Sequence, residues 1–189
     1  MDKNKIIAAR VTLALVAAAL APVAATAQGN TIVFDNVGGW TVRTDPAREY
    51  RCFIEADYDN GSSVRAGFNT DSGRFYITVA DYRWDWVELG APYVVSLQFD
   101  DEPALEFDAT GVVLETDYIQ PGLELVLPQE LEDGIVAQFM YLTEMQLRHA
   151  DGAELTLGLF GTQRAVESLE GCQIKMAQTA QSTEFSALQ

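Results

Sequence analysis

The chain contains little histidine, cysteine or positive charge. Among 189 residues there are one His and two Cys, and 12 Lys plus Arg face 28 Asp plus Glu. A zinc site made of several His or Cys ligands is excluded by these counts, and triad or Cys-His catalysis would depend on His149 alone. The net charge of −16 disfavours nucleic-acid binding, which needs clusters of Lys and Arg. We therefore expect no cofactor, no metal and no nucleic-acid partner.

Long apolar runs are also scarce, and the one at the N-terminus is too short to span a membrane. The run Val11–Ala21 falls below the roughly 20 residues that a transmembrane helix needs. Three basic residues precede it, and Ala25-Thr26-Ala27 supplies an A-x-A cleavage site. This order is typical of a bacterial secretory signal peptide. We expect residues 1–27 to be removed near Ala27, leaving a periplasmic or secreted chain that does not insert into a membrane.

The two cysteines, Cys52 and Cys172, lie far apart in the sequence. In an exported protein such a pair is most simply one disulfide. Closing so long a loop stabilises a fold by about 5 kcal/mol on the chain-entropy argument. The alternative is a reactive thiol or a metal pair, but neither cysteine has a His or a second Cys at ligand spacing. We predict the Cys52–Cys172 disulfide.

Short apolar runs separated by turn residues fill the chain from residue 31 to 128. The run Arg74–Ala80 alternates along its length, and Asn60-Gly61 is a strong hairpin signal. Turn signals recur about every ten residues, which is the spacing of strands in a β-sandwich or barrel. Residues on both sides of Asp151-Gly152 predict a last hairpin. The fold is therefore expected to be mostly β, an antiparallel β-sandwich or barrel-like domain spanning residues 28–172.

Two helices are expected in the second half of the chain. Apolar residues at helix spacing predict a mid-chain helix over Glu132–Glu144. Thr162 is a plausible N-cap for a short C-terminal helix, and Gly171 is placed to end it. Residues 173–189 are polar and rich in Gln, Ser and Thr, so we predict a disordered tail there.

Catalytic chemistry has weak support in this sequence. His149 lies beside Asp151-Gly152, where we expect it to be exposed at a hairpin tip. Acidic residues are abundant, and a glycosidase needs two carboxylates at the right separation, but abundance makes each acid uninformative. The run Asp57–Gly61 does not fit an EF-hand, because glycine falls at the fifth place and Phe68 at the twelfth. No catalytic residue is assigned.

Three aromatic residues, Tyr82, Trp84 and Trp86, form the best candidate binding feature. On a strand they would point to one face, with Arg83 and Asp85 on the other. Exposed, such a row would stack on a sugar or contact a peptide. Buried, it would be part of the core. Both interpretations remain open at this point.

Several short motifs resemble a known family. They are Gly39-Trp40-Thr41-Val42, Cys52, Gly67-Phe68, the run Leu157–Thr162 and Cys172. Together they are similar to the invasion-associated locus B family of small exported alphaproteobacterial proteins. The resemblance implies a periplasmic or secreted β-sandwich-like domain that is not an enzyme and interacts with a host or the envelope.

These observations favour a non-catalytic exported domain that binds a protein or glycan partner at the cell envelope. A carboxylate-dependent hydrolase of envelope polysaccharide is the first alternative, and it requires a pocket holding two acids. A purely structural envelope component is the second alternative. It predicts a closed core without an exposed aromatic cluster or a cleft.

Overall fold

A computed structural model describes residues 31–46, 51–69, 72–116, 118–150 and 152–187, with side chains described to Thr179. The predicted signal peptide, residues 1–27, and its cleavage at Ala27 lie outside these residues. So do the last two residues of the predicted tail.

The described residues contain ten strands and two helices. In chain order these are β1 (Ile32–Val37), β2 (Trp40–Asp45), β3 (Arg51–Asp57), β4 (Ser62–Phe68), β5 (Phe75–Asp81), β6 (Pro92–Phe99), β7 (Leu105–Glu115), β8 (Ile119–Val126), α1 (Gln129–Tyr141), β9 (Glu144–His149), β10 (Glu154–Gly158) and α2 (Thr162–Ala187). The mostly-β prediction is confirmed. Both predicted hairpins are also present, β3–β4 around Gly61 and β9–β10 around Gly152.

All ten strands belong to one antiparallel sheet in the order β1-β2-β3-β4-β5-β8-β7-β6-β9-β10. Strands β1 to β5 form a meander of nearest neighbours. Strands β6 to β8 form a second meander that is attached in reverse, because β8 and not β6 pairs with β5. The connection from β5 to β6 must therefore cross the end of the sheet instead of making a hairpin.

One face of the sheet is apolar and forms the core. A row of opposed residues crosses five strands, from Val42 through Ile54, Ala66 and Ile77 to Leu125. Each of these side chains is fully buried. Successive side chains on a strand point to opposite faces, so the alternation in the sequence translates directly into this row.

The opposite face is polar and is held by ion pairs between neighbouring strands. Glu55 on β3 accepts hydrogen bonds from Arg43 on β2 and from Arg65 on β4, the second at 2.9 Å. The Arg65 guanidinium also lies 4.3 Å from the centre of the Phe53 ring. These contacts join β2, β3 and β4 on the side facing away from the core.

The sheet curls so that its first strands approach its last. The Tyr58 hydroxyl, just after β3, donates to the Gly158 carbonyl at the end of β10 over 2.8 Å. The Trp40 indole on β2 donates to the Phe160 carbonyl over 3.1 Å. At this contact, burial raises the pKa of Tyr58 to about 12. Because these two hydrogen bonds link the first strands to the last, a single curled sheet encloses the core, in agreement with a sandwich-like or barrel-like shape.

The two helices lie against the opening of this sheet. α2 packs on β1, β2 and β3, and α1 packs on α2. The predicted disulfide is present: Cys52 on β3 is bonded to Cys172 on α2, with their Cα atoms 6.0 Å apart. None of the helices within the described residues is both long enough and apolar enough to cross a membrane.

The C-terminal helix is longer than predicted, and the prediction that Gly171 ends it is wrong. α2 runs on to Ala187. The Gln173 side chain accepts a hydrogen bond from the Cys52 backbone N–H at 3.2 Å, Lys175 lies over the Phe34 ring, and Met176 packs on the core. Tertiary contacts and good helix formers such as Lys, Met, Ala and Gln therefore outweigh one glycine.

Candidate functional site

The three candidate aromatics do not lie on a strand. β5 ends at Asp81 and β6 begins at Pro92, so Tyr82, Trp84 and Trp86 fall in the connection between them, residues 82–91, which we call the aromatic loop. Two turns shape its start: the Trp84 N–H donates to the Asp81 carbonyl and the Val87 N–H donates to the Trp84 carbonyl. These turns remove the alternation that would align the three rings if the segment were a strand.

The three rings consequently have different surroundings. Trp84 is only 6% exposed and belongs to the core, whereas Tyr82 is 64% exposed. The Tyr82 ring covers Gly61 so closely that a Cβ there would lie under 3.0 Å from it. Trp86 is partly buried against the core. A binding role for the three remains a prediction, and Trp84 has the environment of a core residue.

His149 is half-buried and is not exposed at a hairpin tip as predicted. It ends β9, and its imidazole stacks on the Trp86 ring with centroids 4.7 Å apart and planes 19° apart. Tyr93 meets both rings edge-on. The Tyr93 hydroxyl accepts a hydrogen bond from the Glu88 N–H at 2.8 Å. The aromatic loop is thereby fixed across one end of the core.

An ion pair anchors the base of the aromatic loop. Asp81 is fully buried and accepts hydrogen bonds from Arg83 Nε and Nη2 at 2.8 and 2.5 Å. Burial favours a higher pKa for Asp81, but the Arg83 hydrogen bonds and positive charge outweigh it and lower the pKa below its usual value. This carboxyl is therefore held ionised, in a structural contact.

A groove of about 360 Å³ lies at the other end of β9. β9 begins just after α1 and ends at His149, which stacks on Trp86 of the aromatic loop. Since β9 spans about 17 Å, the groove and the aromatic loop lie about that far apart. The walls come from the end of α1, the link from β10 to α2, and the first turn of α2. The lining residues are Met140, Tyr141, Leu142, Thr143, Leu159, Phe160, Gly161, Gln163 and Arg164.

Two aromatic side chains of the groove are open to solvent. Tyr141, the last residue of α1, is 62% exposed, and Phe160, between β10 and α2, is 83% exposed. Large exposed aromatic groups on a rigid scaffold are a common feature of binding surfaces. The groove falls within the range of roughly 300–1,000 Å³ that small-ligand sites occupy.

The backbone that carries Phe160 is firmly positioned. Its carbonyl accepts the Trp40 indole N–H, and the neighbouring Gly161 has φ +86. A Cβ on Gly161 would lie under 3.0 Å from the Gly38 carbonyl oxygen. Only glycine permits this backbone conformation together with this close approach. The Thr162 hydroxyl, predicted to cap the helix, donates to the Leu159 carbonyl at 2.8 Å.

Sequence reasoning missed this groove, although one local signal for it exists. Leu155, Leu157 and Leu159 alternate toward the core and are buried. Phe160 follows at a position where the alternation turns the side chain outward, and a large apolar residue at an outward position is the signal. Tyr141 gave no such signal, because its exposure depends on where α1 ends.

The groove has no acidic residue in its lining. Two carboxyls with shifted pKa values lie outside this lining: Asp81 at the aromatic loop, and Asp100, which accepts hydrogen bonds from Thr143 of the lining. Hydrogen bonds from the Thr143 backbone and side chain and the Glu144 backbone lower the pKa of Asp100, against a smaller opposing effect of desolvation. Both shifts oppose the raised pKa of a general acid. No group of three or more His, Cys, Asp or Glu residues suited to a metal occurs in the described ranges.

Comparison of this chain with protein-family models, with curated proteins and with solved structures finds no match.

Proposed function

We propose that the protein is a non-catalytic, exported binding protein that captures a partner at the cell envelope through the groove between the end of α1, the β10–α2 link and the first turn of α2. The observation that carries this proposal is the pair of exposed aromatic rings, Tyr141 and Phe160, on the walls of a groove of about 360 Å³. Exposed apolar groups grouped around a concavity typically mark binding sites on soluble proteins.

The rigidity of the groove supports the same function. Phe160 is held by the Trp40 hydrogen bond and by the close approach of Gly161 to Gly38. Trp40 itself is buried and meets Phe139 of α1 edge-on at 5.7 Å. A binding site built on fixed backbone loses little conformational entropy when it is occupied.

Export is part of the proposal and rests on two observations. The N-terminal sequence has the three-part order of a signal peptide. Disulfides persist mainly in oxidising compartments outside the cytosol, and this chain carries Cys52–Cys172. A binding role outside the cytosol also matches what the resemblance to the invasion-associated locus B family implies.

The test is capture of envelope components by the native protein and by a groove variant, Tyr141→Ala/Phe160→Ala. We expect the variant to lose the partner that the native protein captures. Both side chains are exposed, so the thermal midpoint should change little. The matched control is Tyr118→Ala, which removes a ring that is 72% exposed at the β7–β8 hairpin, outside the groove.

Equal capture by the native protein and the groove variant would contradict the proposal, as would equal loss in the Tyr118→Ala control. A hydrolase would need an acid pair in the groove, and the lining provides none. A purely structural component would present neither a groove nor exposed aromatic rings. Both alternatives therefore have less support than binding.

A further inference from the structure

The charge of the groove differs from that of the chain as a whole. The full sequence has a net charge of −16, yet Arg164 is the charged residue of the groove lining. Arg164 and Gln163 both come from the first turn of α2, beside the exposed Phe160. A concave and partly aromatic surface that presents a cation in its lining favours a ligand with one anionic group next to an apolar group.

Arg164 also differs from most other arginines of the described chain. Arg43, Arg65, Arg83 and Arg148 are each paired with a carboxylate. Arg164 is exposed and, among the residues the structure describes, has no carboxylate within ion-pair distance. A guanidinium presents two parallel N–H groups that match the geometry of a carboxylate. The groove therefore offers an anion-binding group that the fold itself does not use.

Gln163 adds an acceptor beside this cation. Its side-chain nitrogen donates to Glu167 Oε1 at 3.0 Å, which leaves its carbonyl oxygen available. A backbone N–H next to a carboxylate occurs at the C-terminus of a polypeptide, whereas a fatty acid has no such donor. The combination of acceptor and cation thus favours a peptide terminus.

The overall charge and the size of the groove restrict the ligand further. A polyanion would be repelled by the net charge of −16, whereas a single terminal carboxylate reaches Arg164 without bringing other charges. A volume of 360 Å³ lies at the small end of ligand sites. It suits one or two terminal residues of a longer chain better than a folded surface.

We propose that the groove binds the C-terminus of a partner polypeptide that ends in an apolar or aromatic residue. The terminal carboxylate pairs with Arg164, the last backbone N–H donates to Gln163, and the side chain packs between Tyr141 and Phe160. This inference rests on the proposed binding function and names the chemical class of its ligand.

The experiment is a calorimetric titration with two probes, acetyl-Ala-Phe with a free carboxylate and the same peptide as its C-terminal amide. We expect the carboxylate form to bind about tenfold more tightly, as a charge-assisted pair allows. Arg164→Gln should abolish that preference. Arg148→Gln, which removes the same charge from the outer face of β9, should leave it unchanged.

The possible failures are distinguishable. Equal affinity for the two probes would overturn the C-terminus inference while leaving groove binding intact. Binding of neither probe, together with loss of the captured partner in Tyr141→Ala/Phe160→Ala, would also overturn the inference but not the proposed function. Binding of neither probe with undiminished capture by that variant would overturn both.

Discussion

At the scale of single residues, the aromatic rings of the aromatic loop are evenly spaced in the sequence but lie in different environments. Trp84 is packed among core residues, and its ring lies 5.8 Å from that of Trp86. Tyr82 lies mostly in solvent on top of Gly61. The contribution of each ring to stability follows from the contacts that truncation would remove and the cavity it would leave.

We predict that Trp84→Ala lowers the free energy of unfolding by about 3–5 kcal/mol, the usual cost of removing a large buried aromatic side chain. Tyr82→Ala should cost much less, because most of that ring is already exposed. Urea denaturation followed by far-ultraviolet circular dichroism measures both values. Similar effects for the two variants would contradict the described packing and restore the interpretation of a uniform aromatic row.

From the sequence, Tyr82, Trp84 and Trp86 were treated as one group, because their regular spacing is the only information that the sequence gives about them. It could not predict the two turns after Asp81 or the ion pair that the buried Asp81 makes there with the exposed Arg83. Nor could it predict that Trp86 meets His149, a residue of another strand. Contacts between distant segments have no local signal in the sequence.

At the scale of elements, two glycines that look alike in sequence have different roles. Gly161, which precedes α2, has positive φ and lies against Gly38. Gly171 lies inside α2, and a Cβ there would meet nothing within 4 Å. The first is required by the backbone, whereas the second only weakens a helix.

We predict opposite effects for alanine at these positions. Gly161→Ala should destabilise the protein, because the new Cβ collides with the Gly38 backbone and the left-handed conformation is strained. Gly171→Ala should raise the free energy of unfolding by about 0.5–1 kcal/mol through better helix propensity. Denaturant midpoints test both. A destabilising Gly171→Ala would mean that this glycine ends the helix, as the sequence alone indicates.

Element type was predictable where apolar alternation is regular, as in the predicted run Arg74–Ala80, which covers most of β5. The length of α2 was not predictable, because Gln173, Lys175 and Met176 make their contacts with β3, with β1 and with the core. Those contacts exist only once the sheet has curled. The prediction that the helix ends at Gly171 therefore came from local sequence alone.

At the scale of the whole molecule, the Cys52–Cys172 bond joins the sheet to the helix that covers it, over a sequence separation of 120. We predict that reduction lowers the free energy of unfolding by about 5 kcal/mol, since the cross-link restricts a long loop in the unfolded chain. The measurement is denaturation with and without a thiol reductant.

The control for that prediction is the double variant Cys52→Ser/Cys172→Ser, whose stability should not respond to the reductant. An unchanged midpoint for the native protein on reduction would show that the cross-link does not limit the unfolded state. The pairing was predictable from the cysteine count and the signal-like N-terminus. The groove was not, since its walls come from three elements that only the complete fold brings together.

The reversed attachment of strands β6 to β8 has a consequence for how the chain folds. The strands form three local groups, β1–β5, β6–β8 and β9–β10, whose internal pairings connect near neighbours in sequence. Joining them requires two distant pairings, β5 with β8 and β6 with β9. Such non-local pairings slow folding, because loop entropy is lost before the contacts form. The stack of Trp86 on His149 spans the second junction, so tryptophan emission offers an optical signal for the moment at which the separate groups become one sheet.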